Sequence, residues 1–137
     1  MNPAQVNYTK ILDKAKNLQL NSEGLIEIHS AERMSILPGE RHFLRTFLNI
    51  KISNDFIGLI LPKKDLYIKY GINVLNDIIV GERNDLQLII TNINIPKGIL
   101  MISDKERFFG EKTKHNIFIG DKIADLLILP KSNINLI

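Results

Sequence analysis

The sequence predicts an all-β protein of the sandwich or jelly-roll type, and two observations lead there. Short runs rich in Ile, Leu and Phe alternate with turn residues along most of the chain. No long amphipathic helical pattern interrupts them, so the layers have to be built from sheet. With 137 residues the chain forms a single domain over 1–137, long enough to bury one core.

The first twenty residues admit two readings. Ala4, Tyr8, Ile11, Leu12, Ala15 and Leu18 share one helical face, whereas Val6, Tyr8 and the pair Ile11-Leu12 suit an edge strand. Periodicity alone favours the helix. Strands are then expected at 25–30 and 35–37, with Pro38-Gly39 closing a turn. Residues 42–52 alternate in places and stop at Ser53-Asn54-Asp55. Residues 56–61 end at Pro62, which has no N–H for a central ladder. The stretches 86–93 and 123–129 are strong strands, apolar enough to be buried on both faces. There is no internal repeat and no low-complexity linker.

An apolar fraction of 45% argues for a globular chain. The absence of Cys removes disulfides, thiolate metal sites and cysteine nucleophiles together. No run approaches the roughly 18 to 20 apolar residues of a membrane helix. The stretch MNPAQVNYTK has neither a charged n-region nor an apolar h-region. A soluble, cytoplasmic protein without a membrane partner is the expectation. The net charge of +3 is spread among acidic residues, weaker than the basic stripe of a dedicated nucleic-acid binder. His29, His42 and His115 are too widely spaced for a metal-ligand motif, and His115 is expected to be exposed.

The stretch INVLNDIIVGERNDLQLIITN (72–92) looks like a substrate-pocket hairpin, and GDKIADLLILP (120–130) is nearly the motif Gly-Asp-Arg-Ile-Ala-Gln-Leu. With LDKAKNLQLNSEGLIEIHSAE, PGERHFLRTFLNIKI and FIGLILPKKDLYIKYGINV, these segments resemble the homotrimeric dUTPase family, in order, from about residue 5 to 130. The resemblance implies a dUTPase-like jelly-roll or β-clip barrel, a homotrimer with pockets between subunits, and an edge strand rather than a helix at the start.

Carried over residue by residue, the family's machinery is mostly lost. Its Arg-Ser-Gly phosphate motif becomes Lys63-Lys64-Asp65, and its catalytic Asp falls on Val80, in the run Ile78-Ile79-Val80, with one residue deleted nearby. Asp77, three positions earlier, is the carboxylate that another register offers as a base. The tyrosine beneath the deoxyribose becomes Glu82, Arg83 is kept, and the phosphate-facing Gln becomes Asp125. The Gly-rich fifth motif has no counterpart, residues 131–137 forming a different carboxy-terminal arm. Losing a general base typically costs about 10²- to 10⁴-fold in rate. The resemblance therefore implies a protein that keeps an enzyme's fold and not its reaction.

What remains is a candidate binding site. Lys63 and Lys64 either line the former phosphate pocket or form a solvated turn. With Arg83 and hairpin residues Val74, Leu75, Asn76, Asp77 and Ile78 they would hold a nucleotide or another anionic small molecule. A phage or other virus using such a sponge against host nucleotide signals would fit the decayed catalysis. No cofactor is required. Glu27, at the Asp of the family's first motif, either organises a hydrated Mg²⁺ or faces solvent or a cationic side chain. The alternative function is protein recognition. The insert 95–116 carries Phe108-Phe109 beside mixed charges, as an aromatic anchor with a polar rim or as packing onto the barrel. The apolar end Leu136-Ile137 offers a second partner site or an arm exchanged between subunits. Residual dUTP hydrolysis through Asp77 is the third reading.

Overall fold

The computed structural model describes residues 3–94 and 114–137, in which thirteen short strands and one helix are formed. The residues numbered 95–113, with Phe108 and Phe109 of the expected partner site, lie outside the described residues. Among the described residues no helix is long and apolar enough to cross a membrane.

The longest strand, β13 (Lys122–Pro130), organises the largest sheet. It lies between β3 (Ile26–His29) and β7 (Phe56–Pro62), and β2 (Gln19–Leu20) and β9 (Asp77–Val80) complete the order β2-β3-β13-β7-β9. All its pairings are antiparallel. Two three-stranded sheets and a ribbon accompany it. The first has order β1-β6-β10, from β1 (Val6–Lys10), β6 (Leu48–Ile52) and β10 (Glu82–Arg83). The second has order β5-β11-β8, from β5 (Arg41–Arg45), β11 (Gln87–Asn92) and β8 (Ile72–Val74). The ribbon pairs β12 (His115–Ile117) with β4 (Met34–Ile36). One apolar core joins them, with Ile28, Ile36, Leu44, Ile50, Ile60, Ile90 and Leu126 all fully buried. The all-β jelly-roll class is confirmed.

The opening segment is a strand. β1 pairs with β6 from Val6↔Ile52 to Lys10↔Leu48, an edge position in its sheet. The helical face dissolves because Ile11 and Leu12 stay exposed while Val6 and Tyr8 pack onto the core. Long-range pairing overrides the local period.

Residues 42–52 divide into β5 and β6 at Thr46-Phe47. Phe47 takes a positive φ of 54°, an uncommon geometry for a bulky side chain. Its ring is clasped by Arg45, 4.1 Å from its centroid, and by Lys14 at 4.5 Å. Thr46 Oγ1 donates to the Leu86 carbonyl at 2.7 Å, fixing the corner from the other side.

The expected polar turn at 63–65 is instead the entry to helix α1 (Lys64–Tyr70). Gly71 ends it in the left-handed conformation (φ 66°), its N–H donating to the Tyr67 carbonyl at 3.0 Å. The Asn94 amide donates to the Tyr70 carbonyl at 2.7 Å. β11 alternates buried with more exposed residues rather than burying both faces. His115 is half-buried, its ring 4.7 Å from that of Tyr70, because β12 returns beside the end of α1.

Candidate functional site

Alternation along β3, β13, β7 and β9 gives the large sheet two distinct faces. Ile28, Ala124, Leu126, Ile60 and Ile79 point into the core. The registers Ile78↔Leu59↔Leu127 and Val80↔Ile57↔Leu129 place a second apolar set on the outer face. Ile78 and Val80 there are 53% and 58% exposed. At one end of this apolar surface the register Leu61↔Asp125↔Glu27 carries two carboxylates side by side.

That end is a compact polar cluster. Lys122 Nζ lies 2.9 Å from Asp125 Oδ1 and 3.4 Å from Glu27 Oε2. The Lys122 ammonium is the cation against the buried Asp125 Oδ1. Asn21 Nδ2 donates to Glu27 Oε2 at 3.5 Å, and His29 Nε2 lies 3.9 Å from Glu27 Oε1. A shift of pairing between Lys122 and Ala124 swings Lys122 back over the row. Burial opposes the carboxylate charge of Glu27, yet Lys122, Asn21 and His29 outweigh it and leave its pKa below the ordinary value. For Lys122 burial also opposes the charge, and Asp125 and Glu27 together raise its pKa.

His29 faces this cluster and borders a cleft of about 500 Å³ lined by Lys10, Asp13, Lys16, Asn17 and Gln19. Burial lowers its pKa, Glu27 raises it, and Lys122, Lys63 and Lys16 lower it further. Its Nδ1 is buried without a hydrogen-bond partner among the described residues.

The candidate lysines separate. Lys63, at the N-cap of α1, is half-buried and close enough to bias His29, whereas Lys64 is exposed on the helix. The hairpin separates as well. β8 and β11 pair at its base, but β9 joins the large sheet and β10 joins β6, so its tip is split. The Val74 side chain is committed to the core, while Leu75, Asn76 and Ile78 are exposed.

Arg83 spans the split. Its Nη1 donates to Asp77 Oδ2 at 2.9 Å and its Nη2 to the Ile78 carbonyl at 3.1 Å. Asp77 Oδ1 accepts the Ile78 N–H at 2.8 Å, so both carboxylate oxygens are engaged within the hairpin. Asp77 also lies on the core-facing side with Ile79, opposite to Ile78 and Val80. The two residues expected to hold an anion or a water are thus tied to each other.

Among the described residues no group of three or more His, Asp or Glu is placed to hold a metal ion. Glu27, the expected Mg²⁺ residue, has the Lys122 ammonium 3.4 Å from its Oε2. The sequence shows no sign of Lys122 or Asn21 as site residues, and it presents His29 only as a histidine too widely spaced for a metal motif. The i, i+3 spacing of Lys122 and Asp125 is visible in the chain, but the cross-strand register that adds Glu27 is not.

No protein-family profile matches the chain. Its sequence is 22% identical over 107 residues to the deoxyuridine 5'-triphosphate nucleotidohydrolase of Leifsonia xyli subsp. xyli, covering 76% of this chain and 60% of that protein. The corresponding enzyme of Mycobacterium leprae is 24% identical over 106 residues, covering 75% and 58%. The chain thus spans about 60% of the length of the curated relatives it matches. A variant of the phage 80alpha dUTPase superposes with a TM-score of 0.81 at 20% identity, covering 96% of this chain and 87% of the other. Another, solved with dUpNHpp, gives 0.80 at 22% identity, covering 99% and 87%. A variant of the dUTPase of phage phi11 of S. aureus, described with a structural Mg(II) ion, gives 0.80 at 21%, covering 98% and 95%. The chain has the dUTPase fold.

Proposed function

We propose that this dUTPase-fold chain is a non-catalytic binding protein that captures a nucleotide or nucleotide-like anion between subunits of a homotrimer. The observation that carries the reading is the fate of the hairpin carboxylate. A general base has to be turned toward its water, and each Asp77 oxygen is instead held by a hydrogen bond from within the hairpin, Oδ2 by Arg83 and Oδ1 by the Ile78 N–H. Val80, where the resemblance puts the family's base, is an exposed apolar side chain. The fold's relatives include a phage dUTPase solved with dUpNHpp, which supports a nucleotide as the class of ligand. Of the two candidate lysines, Lys63 is half-buried and close enough to bias His29, while Lys64 is exposed, which supports Lys63 as the one to meet phosphate. A phage or viral sponge for host nucleotide signals is the biological setting this reading favours.

Isothermal titration with dUTP, dUpNHpp and a panel of linear and cyclic nucleotides, with pyrophosphate release followed in parallel, tests it. Binding of at least one ligand without release is expected, weakened at least tenfold by Lys63→Ala and little by Lys64→Ala. Pyrophosphate release that Asp77→Asn abolishes would establish residual dUTP hydrolysis and overturn the reading. Protein recognition is the second reading, favoured by the SaPI-inducing capacity described for the phage 80 dUTPase relative. Loss of partner binding in Phe108→Ala/Phe109→Ala, with nucleotide binding unchanged, would separate it.

A further inference from the structure

We propose that Lys122 is a built-in counter-cation, its ammonium occupying the place between Glu27 and Asp125 that a divalent metal would otherwise take. Glu27 and Asp125 are direct cross-strand partners on the outer face of the large sheet. Like charges directly opposite one another destabilise a strand pair unless a cation intervenes. Lys122 supplies it from within the same strand, at 2.9 Å from one carboxylate and 3.4 Å from the other. The three side chains are 14% to 24% exposed, so bulk water screens the cluster only in part. Asn21 completes the shell of Glu27. An ammonium fixed by the chain cannot be chelated or exchanged, and its charge opposes the approach of a second cation to the same carboxylates.

The consequence for the pocket is independence from divalent metal. That consequence deepens the proposed binding function and rests on it. The cation itself does not, and it can be read alone.

The experiment titrates Mn²⁺ into the full chain, following the electron-spin resonance of the free ion and the paramagnetic broadening of amide signals around Glu27 and Asp125. The unaltered protein is expected to leave both unchanged at submillimolar Mn²⁺. Lys122→Met exposes the two carboxylates to each other and is expected to bind Mn²⁺ at least tenfold more tightly. Adding Glu27→Gln to Lys122→Met is expected to remove that gain. Broadening around Glu27 in the unaltered protein overturns the proposal, and this arm decides even where the variants do not fold. A folded Lys122→Met that gains no Mn²⁺ affinity overturns it too. Nucleotide titration in EDTA, on the same sample, keeps the two claims apart: no nucleotide binding sinks the proposed function while leaving the Mn²⁺ result standing.

Discussion

His29 sits where three lysines and its own burial oppose protonation, and only Glu27 favours it. Its folded pKa is therefore depressed, and the unfolded chain takes up the proton first as pH falls. Stability contributed by neutral His29 is complete above the ordinary histidine value and is lost as pH drops below it. His115, lowered mainly by burial, acts in the same direction. Urea midpoints should thus decline between about pH 7.5 and 5.5, and His29→Gln, which cannot titrate, should flatten that slope. An unchanged slope in a folded variant would show that His29 does not couple to folding. Glu27 adds a separate acid window: its depressed pKa gives stability present above the ordinary carboxylate range and lost as pH falls through the folded value. The residue scale is also where the sequence told least. Lys63 and Glu27 could be picked out by type and order, but what each meets depends on register. One strand shift decides whether Glu27 faces water, a metal or Lys122.

Between elements, β6, β7 and β13 meet where Gly58 has no side chain. A Cβ built there would lie 2.7 Å from Ile52 Cδ1 and 2.8 Å from Leu126 Cδ1. Both side chains are at most 1% exposed, so neither can swing away into solvent. Gly58→Ala should therefore cost about 1–3 kcal/mol, the usual range for overpacking, read as a lower denaturant midpoint with an unchanged slope. Gly71→Ala combines two penalties, a left-handed φ and a Cβ 2.7 Å from the Asn94 amide that holds Tyr70. It should cost more than about 1 kcal/mol, with hydrogen exchange rising first in α1. Most strands were legible because alternation and turn residues are local signals. The break between β5 and β6 was not, since nothing in the run RHFLRTFLNIKI marks Phe47 for a positive φ. Helix α1 was hidden by its length of seven residues, barely two turns, too short for a periodic stripe. The strand at Val6–Lys10 was undecided because its partner β6 lies some forty positions away.

A sheet with two apolar faces in a chain this small has only one face covered by its own core. Leu59, Leu61, Leu127 and Ile57 lie half-exposed on the other, flanked by Ile78 and Val80, and all share one surface by register. Contiguous apolar surface of this kind marks an interface, and identical chains close most readily around a symmetry axis. The apolar run of 126–129, with Ile123 and Ala124 before it, already hinted at a second covered face, and a jelly roll alone does not provide the cover. The polar cluster of Glu27, Lys122 and Asp125 borders this same face, so association would wall the candidate pocket with a second copy. Light scattering on the eluting protein should therefore give three times the 15.7 kDa chain mass. Leu59→Glu with Leu127→Glu puts two charges from adjacent strands into the centre of the face without touching the core side. It should convert the trimer to monomers, since an unpaired charge desolvated at an interface costs several kcal/mol. If the pocket is shared between copies, nucleotide affinity should fall together with the mass. A variant that stays trimeric would place the interface elsewhere, and monomers that bind as tightly as the parent would place the whole pocket within one chain.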